Sequence, residues 1–230
     1  MKIGILQCGH FPDDLRGEMG DYDAMFATLL GGRGFLFETY AVVDGIFPSG
    51  PEACDGWLIT GSRHGAYDDL PWIPPLESLI RAIRDAGKPL VGVCFGHQII
   101  AQALGGRVEK VDRGWAIGRQ VYDFGGTEIP LIAWHQDQVV DLPEGARVVA
   151  SNDFCPNAAL VYGDRIFTVQ PHPEFTAAAL DGLIRKRGPG LVPEAQLAEA
   201  EAGLDRPVDA AAMADRFAAV FRTASAEADA

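Results

Sequence analysis

The chain has 230 residues, 48% of them hydrophobic and 22% charged, which suits one large domain or one domain with appendages and excludes disorder, collagen and coiled coil. That length buries a sizeable core without disulfide or metal staples. Nineteen basic against 32 acidic residues give a net charge of −13, a field that repels phosphate backbones and anionic lipid, so no nucleic-acid and no membrane partner is expected.

In chain order, Lys2–Gln7 reads as a short apolar strand, too brief for a signal peptide. Helical spacing follows at Tyr22–Leu30, then β-rich Phe35–Val43 and the buried strand Gly56–Thr60, ending at Gly61. Leu76, Leu79, Ile80 and Ile83 recur at i, i+3, i+4, i+7 and predict an amphipathic helix over 75–86. Gly87 stops it, Pro89–Val93 is a second buried strand, and Phe95–Leu104 is a helix closed by Gly105-Gly106. This alternation predicts a parallel sheet with helices on both faces.

From 107 to 170 the pattern changes to short successive strands at 107–111, 118–122, 129–133, 147–151, 159–162 and 165–169. The last two flank Gly163-Asp164, a tight hairpin turn. The expected domains are 1–187 and an acidic, Ala-rich helical extension, 188–230, with eight acidic and three basic residues. Helices are expected at 193–202 and 208–223, the second docking through Met213, Phe217, Val220 and Phe221, with a frayed end after Thr223. No segment approaches the ~20 apolar residues of a bilayer span. The four cysteines lie far apart and form no C-x-x-C pair, so a cytoplasmic chain with reduced thiols is expected and no metal.

The most informative stretch is Gly92-Val93-Cys94-Phe95-Gly96-His97-Gln98, where a buried strand gives way to a helix. G-x-C-x-G has the form of a nucleophile elbow with thiol in place of hydroxyl. A residue at such an apex is forced into strained φ/ψ, and Gly92 and Gly96 supply the room. Unpaired N–H groups at a helix N-terminus favour a thiolate. Cys8, Cys54 and Cys155 lack this setting and read as small hydrophobes.

A thiolate needs an imidazole to pair with it and to protonate the leaving group. Of five histidines, His172 in Gln170-Pro171-His172-Pro173-Glu174 is the strongest candidate. The flanking prolines push the stretch toward extended geometry, in which residues i and i+2 face the same way. Glu174 then orients the imidazole as third member of a triad. His97 reads as structural; His10 and His64 lie in loops after strands, with nothing in the sequence to fix them.

With these residues in hand, the chain resembles the triad-type (class I) glutamine amidotransferases over roughly residues 2–185. The stand-alone proteins similar to the glutaminase domain of GMP synthase, γ-glutamyl peptidases among them, are nearest in texture. The resemblance implies an α/β fold of flavodoxin-like type: a doubly wound, mostly parallel sheet with helices on both faces, plus a small antiparallel sheet. It implies that Cys94 attacks the γ-carboxamide of glutamine, or a γ-glutamyl bond, to give a thioester, with His172 as acid and base and Glu174 orienting it. It also implies an oxyanion hole from the backbone of Gly61 or Ser62 and of Phe95, although the family's loop often reads Gly-Gly-Pro where this chain has Gly61-Ser62-Arg63. Gln98 matches a side chain that contacts bound glutamine, and Trp134-His135-Gln136-Asp137 a segment whose backbone grips its α-amino and α-carboxylate groups. A longer His10–Asp21 loop alters the pocket rim.

Neither G-x-x-x-x-G-K-[ST] nor a strand-borne G-x-G-x-x-G is present, so no cofactor is expected. The partner is a small-molecule substrate, glutamine or a γ-glutamyl compound. Two roles remain open, an autonomous γ-glutamyl hydrolase and an ammonia-supplying glutaminase subunit of a separate synthase. From a different class comes a non-catalytic binding module on the same fold. An ester-cleaving α/β-hydrolase conflicts with the acid following the histidine.

Overall fold

A computed structural model describes residues 1–228, with side chains as far as Thr223. Among these residues eleven strands and seven α-helices occur in the order β1 (Lys2–Leu6), α1 (Asp13–Met19), α2 (Tyr22–Leu29), β2 (Leu36–Tyr40), β3 (Gly56–Ile59), α3 (Ile73–Asp85), β4 (Leu90–Val93), α4 (Phe95–Ala103), β5 (Arg107–Lys110), β6 (Ala116–Asp123), β7 (Glu128–His135), β8 (Asp137–Asp141), β9 (Ala146–Ala150), β10 (Ala159–Tyr162), β11 (Ile166–Val169), α5 (Ala177–Lys186), α6 (Glu194–Ala202) and α7 (Ala210–Ala228). The main sheet runs β2-β1-β3-β4-β11-β10-β9. Its first five strands are parallel, and β10 turns antiparallel between β11 and β9. With β11 counted as the fifth strand, this is the flavodoxin-like order, which places ligands beyond the carboxyl ends of the strands. The antiparallel remainder forms two separate pairs, β5-β8 and β6-β7.

Period-two side-chain alternation divides the core between the two faces. Ile3, Ile5, Leu58, Val91 and Val93 pack with Phe26 of α2 and with Met213, Phe217 and Phe221 of α7. Leu6, Trp57, Ile59 and Leu90 face Leu76, Ile80 and Ile83 of α3 and Ile99 and Ile100 of α4. A third cluster joins Leu15 of α1, Leu180, Leu183 and Ile184 of α5 and Ala200 of α6 to Phe11, Ile132 and Phe175 beside the strand ends.

Several elements differ from the sequence reading. The His10–Asp21 loop contains α1, whose Leu15 docks on α5 where Gly182 leaves space for it. Helix α5 went unread although Thr176 caps it, its hydroxyl accepting from Ala179 N–H at 3.2 Å. Residues 137–141, given no element by the sequence reading, form β8 because they pair with β5. The β10–β11 connection has one more residue than Gly163-Asp164, since Tyr162 pairs with Ile166. The strand expected over 35–43 stops at Tyr40, and Val42–Asp44 turns as a 3-10 helix. Helix α7 continues past Thr223 to Ala228; whatever of the expected frayed end concerns residues 229–230 lies outside the described residues.

Candidate active site

β4 ends at Val93, and Cys94 turns the chain into α4 with φ 53° and ψ −104°. Among the described residues it is the one non-glycine with positive φ, a conformation that L side chains avoid. Its amide is held by Val169 O of β11 at 2.9 Å, and its carbonyl accepts Gln98 N–H at 3.0 Å. The flanking glycines are sterically required. A Cβ on Gly92 would lie 2.6 Å from the Gly96 carbonyl oxygen, and one on Gly96 would collide with the carbonyl of Ile59.

Residues 170–174 leave β11 and are pinned on both sides, Gln170 N–H to Ala158 O at 2.8 Å and His172 N–H to Ile132 O of β7 at 2.7 Å. His172 Nδ1 lies 2.6 Å from Glu174 Oε1, with both side chains buried. Phe175 stacks on the imidazole at 4.1 Å between centroids, nearly coplanar in orientation. Burial alone would lower the His172 pKa; the charge of hydrogen-bonded Glu174 first, then the nearby Cys94 thiol, outweigh it and raise the pKa. Cys94, at the end of β4, and the His172–Glu174 pair, just after β11, thus lie at the ends of neighbouring strands.

Gly61 packs against this imidazole, since a Cβ there would stand 2.9 Å from His172 Cε1. Thr60 fixes the turn, its hydroxyl accepting Cys8 N–H and donating to Gly61 O, both at 3.0 Å. Ser62 lines the cleft, and its hydroxyl accepts His64 N–H at 3.1 Å. The Phe95 ring is fully buried, 5.5 Å from Trp72, so only its backbone is on offer. As the first residue of α4 its N–H has no intrahelical acceptor.

Cys94 and His172 open onto a cleft of about 760 Å³, which Gln98, Trp134, His135, Gln136 and Asp137 also line. The Gln98 amide nitrogen is engaged within the chain, donating to Asp137 O at 2.8 Å and to Gln170 Oε1 at 3.1 Å. It ties α4 to β8 and to the segment after β11, a role that the sequence reading did not give it. Asp137 accepts from the Tyr67 hydroxyl at 3.1 Å, and burial raises its carboxyl pKa. His135 is buried next to His172; burial first, then that neighbour's charge, lower its pKa to about 3, so it stays neutral. His97 is buried and neutral, its Nδ1 2.8 Å from the Thr168 hydroxyl, consistent with a structural histidine.

His10 is the residue most at odds with the sequence reading. It is firmly fixed at the cleft rim, Nδ1 2.7 Å from Asp21 and Nε2 2.9 Å from Asp44. The hydrogen bond to Asp21 is the main reason its pKa is raised. Asp44 lies 34 residues away, a pairing with no local signal. Trp115, Tyr67 and Arg187 also line the cleft and went unread. Among the described residues no group of three or more His, Cys, Asp or Glu side chains converges to hold a metal ion, and no helix is long and apolar enough to cross a membrane.

Residues 51–187 match the family model for glutamine amidotransferase class-I. Gamma-glutamyl peptidase 4 of Arabidopsis thaliana is 34% identical over 181 residues, covering 72% of each chain. A GMP synthase [glutamine-hydrolyzing] of Clostridium novyi is 33% identical over 51% of this chain and 24% of its own length. The solved glutamine amido transferase of Methylobacillus flagellatus superposes with a TM-score of 0.72 at 23% identity, over 99% of this chain and 94% of that one, a likeness of fold.

Proposed function

Since the chain belongs to the class-I glutamine amidotransferase family, we propose that it is a cysteine hydrolase that cleaves γ-glutamyl amide bonds through a Cys94 thioester, without a cofactor. The observation that carries this reading is that the strained elbow cysteine and the buried His172–Glu174 pair open onto one cleft at the ends of β4 and β11.

The Cys94 thiolate attacks the γ-carbonyl carbon and forms the C–S bond. The carbonyl oxygen becomes an oxyanion, to which the backbone N–H of Phe95 and of Ser62 or Gly61 donates. One such donor is worth about 2.7–4 kcal/mol of barrier. As the intermediate collapses, the C–N bond breaks and the His172 imidazolium gives its proton to the leaving nitrogen. Neutral His172 then takes a proton from water, whose oxygen attacks the thioester; the C–S bond breaks, glutamate leaves, and thiolate and imidazolium return. Glu174 holds Nδ1–H throughout, keeping Nε2 aimed at sulfur. Gln98, Gln136 and Asp137 belong to the acyl end, where the glutamyl α-amino and α-carboxylate groups must be held. Four free, buried cysteines fit a reducing, cytoplasmic setting.

A γ-glutamyl chloromethyl ketone should alkylate one cysteine, Cys94, with loss of turnover. Labelling at Cys8, Cys54 or Cys155 instead would overturn the assignment. The GMP synthase relative favours a second reading, in which the chain supplies ammonia to a separate synthase. In that case the purified chain alone should turn over glutamine poorly and γ-glutamyl peptides not at all.

A further inference from the structure

The cleft exceeds what the glutamyl half of a substrate needs. Its volume of about 760 Å³ lies in the range of about 300–1,000 Å³ that holds a drug-sized ligand, and a single amino acid fills only part of it. Its walls are chemically unequal. Ser62, Arg63, His64, Tyr67 and Asp68 supply a polar wall beside the Thr60–Gly61 turn, whereas Trp115, Trp134, Leu183 and Leu191 supply a mostly apolar one, its one charge, Arg187, held by Asp14 at 2.8 Å.

The apolar wall lies on the side of the base. His172 N–H bonds Ile132 O of β7, and Trp134 follows on the same face of that strand two residues on. Trp115, just before β6, meets Trp134 at 6.0 Å between ring centroids with the planes tilted by 55°. Leu183 comes from α5, which follows the base segment directly. Leu191 lines the same cleft yet is 62% exposed, a large side chain left open to water where a ligand would cover it. The leaving nitrogen must lie at His172 to receive its proton, so the amine half of the substrate extends along this wall.

We infer that the wall formed by Trp115, Trp134, Leu183 and Leu191 is a leaving-group subsite, and that it selects γ-glutamyl amides whose amine half carries an aromatic or large aliphatic group. This rests on the hydrolase reading and names its substrate class. Indole faces offer large contact area at little entropic cost, and apolar contact discriminates by about 10–200-fold for each added methylene-sized group.

The test is steady-state kinetics of the purified chain on γ-glutamylphenylalanine, γ-glutamylglycine and glutamine, wild type beside Trp115→Ala and Leu191→Ala. The phenylalanine substrate should exceed the glycine one in kcat/KM by about tenfold or more, chiefly through KM, and each variant should shrink that ratio several-fold. Equal kcat/KM for the two dipeptides, or a ratio unmoved by both variants, overturns the subsite while leaving the hydrolase reading intact. Should wild type hydrolyse none of them, the hydrolase reading fails. The subsite is then judged separately by Kd on the Cys94→Ala chain, where equal affinity for both dipeptides overturns it.

Discussion

The β4–β11 seam and the face of the sheet covered by α7 are built from the same two strands and follow opposite rules. Behind the sheet, Met213, Phe217 and Phe221 are fully buried on apolar strand residues, with Phe217 5.9 Å from Phe167. Local pattern, packing and burial agree there. At the carboxyl ends of the same strands lie a positive-φ cysteine, a buried His–Glu pair and, among the described residues, buried polar atoms with no protein partner at Gln170 Nε2, Glu174 Oε2 and His135 Nε2. Orphaned buried polar atoms also occur away from the strand ends, at Tyr122, Tyr162 and Gln196 among the described residues, so what sets the seam apart is the strained backbone of Cys94 and the buried ionisable pair, whose cost a regular core elsewhere offsets.

If the division is real, the two regions fail differently when cut. The largest effect is expected at Glu174→Gln. His172 and His135 are buried alike, but the pKa is raised in the first and lowered to about 3 in the second. The Glu174 carboxylate, with the Cys94 thiol, makes that difference. Removing the charge should send His172 toward the neutral state of its neighbour and cut kcat/KM by roughly 10³–10⁴-fold. The sign also shows in stability. A raised folded pKa stabilises the fold fully below the unfolded value near 6.5, and that gain is lost as pH rises through the folded value. Urea midpoints should therefore decline on the alkaline side in wild type and decline less in Glu174→Gln. Unchanged kcat/KM would show that the carboxylate is dispensable.

On the other face, Phe217→Ala empties a fully buried aromatic site and should cost about 3–5 kcal/mol of stability, read as a lower urea midpoint. Activity per folded molecule should stay near wild type. A parallel fall in kcat would mean that the two faces are coupled through β4 and β11 and that the contrast is false.

The same contrast explains what was legible in the sequence. Regular parts announced themselves: the spacing of Leu76, Ile80 and Ile83 gave α3, and buried runs gave β3 and β4. The elbow was legible too, because its close packing demands glycines at 92 and 96. Elements that depend on distant partners were hidden. Short α1 is held by Leu15 against α5, β8 exists through pairing with β5, and His10 is fixed by Asp44. Gln98 was read as a substrate contact because of its position four residues after Cys94; its bonds to Asp137 and Gln170 cross the fold and leave no periodic trace. Helix α5 is the exception, since its Thr176 cap and the Leu180, Leu183, Ile184 spacing were there to read.

The smallest effect isolates the strain itself. Cys94 holds φ at 53° against the preference of any residue with a Cβ, and such conformations cost of order 1–3 kcal/mol. Alanine at 94 keeps that penalty, whereas glycine escapes it and gives back about 1 kcal/mol through the entropy of its freer unfolded chain. Both substitutions remove the sulfur and should abolish thioester chemistry, so stability is the informative readout. Cys94→Gly should be the more stable of the two by about 1 kcal/mol. A glycine variant equal to or weaker than the alanine one would mean that the elbow relaxes at no cost.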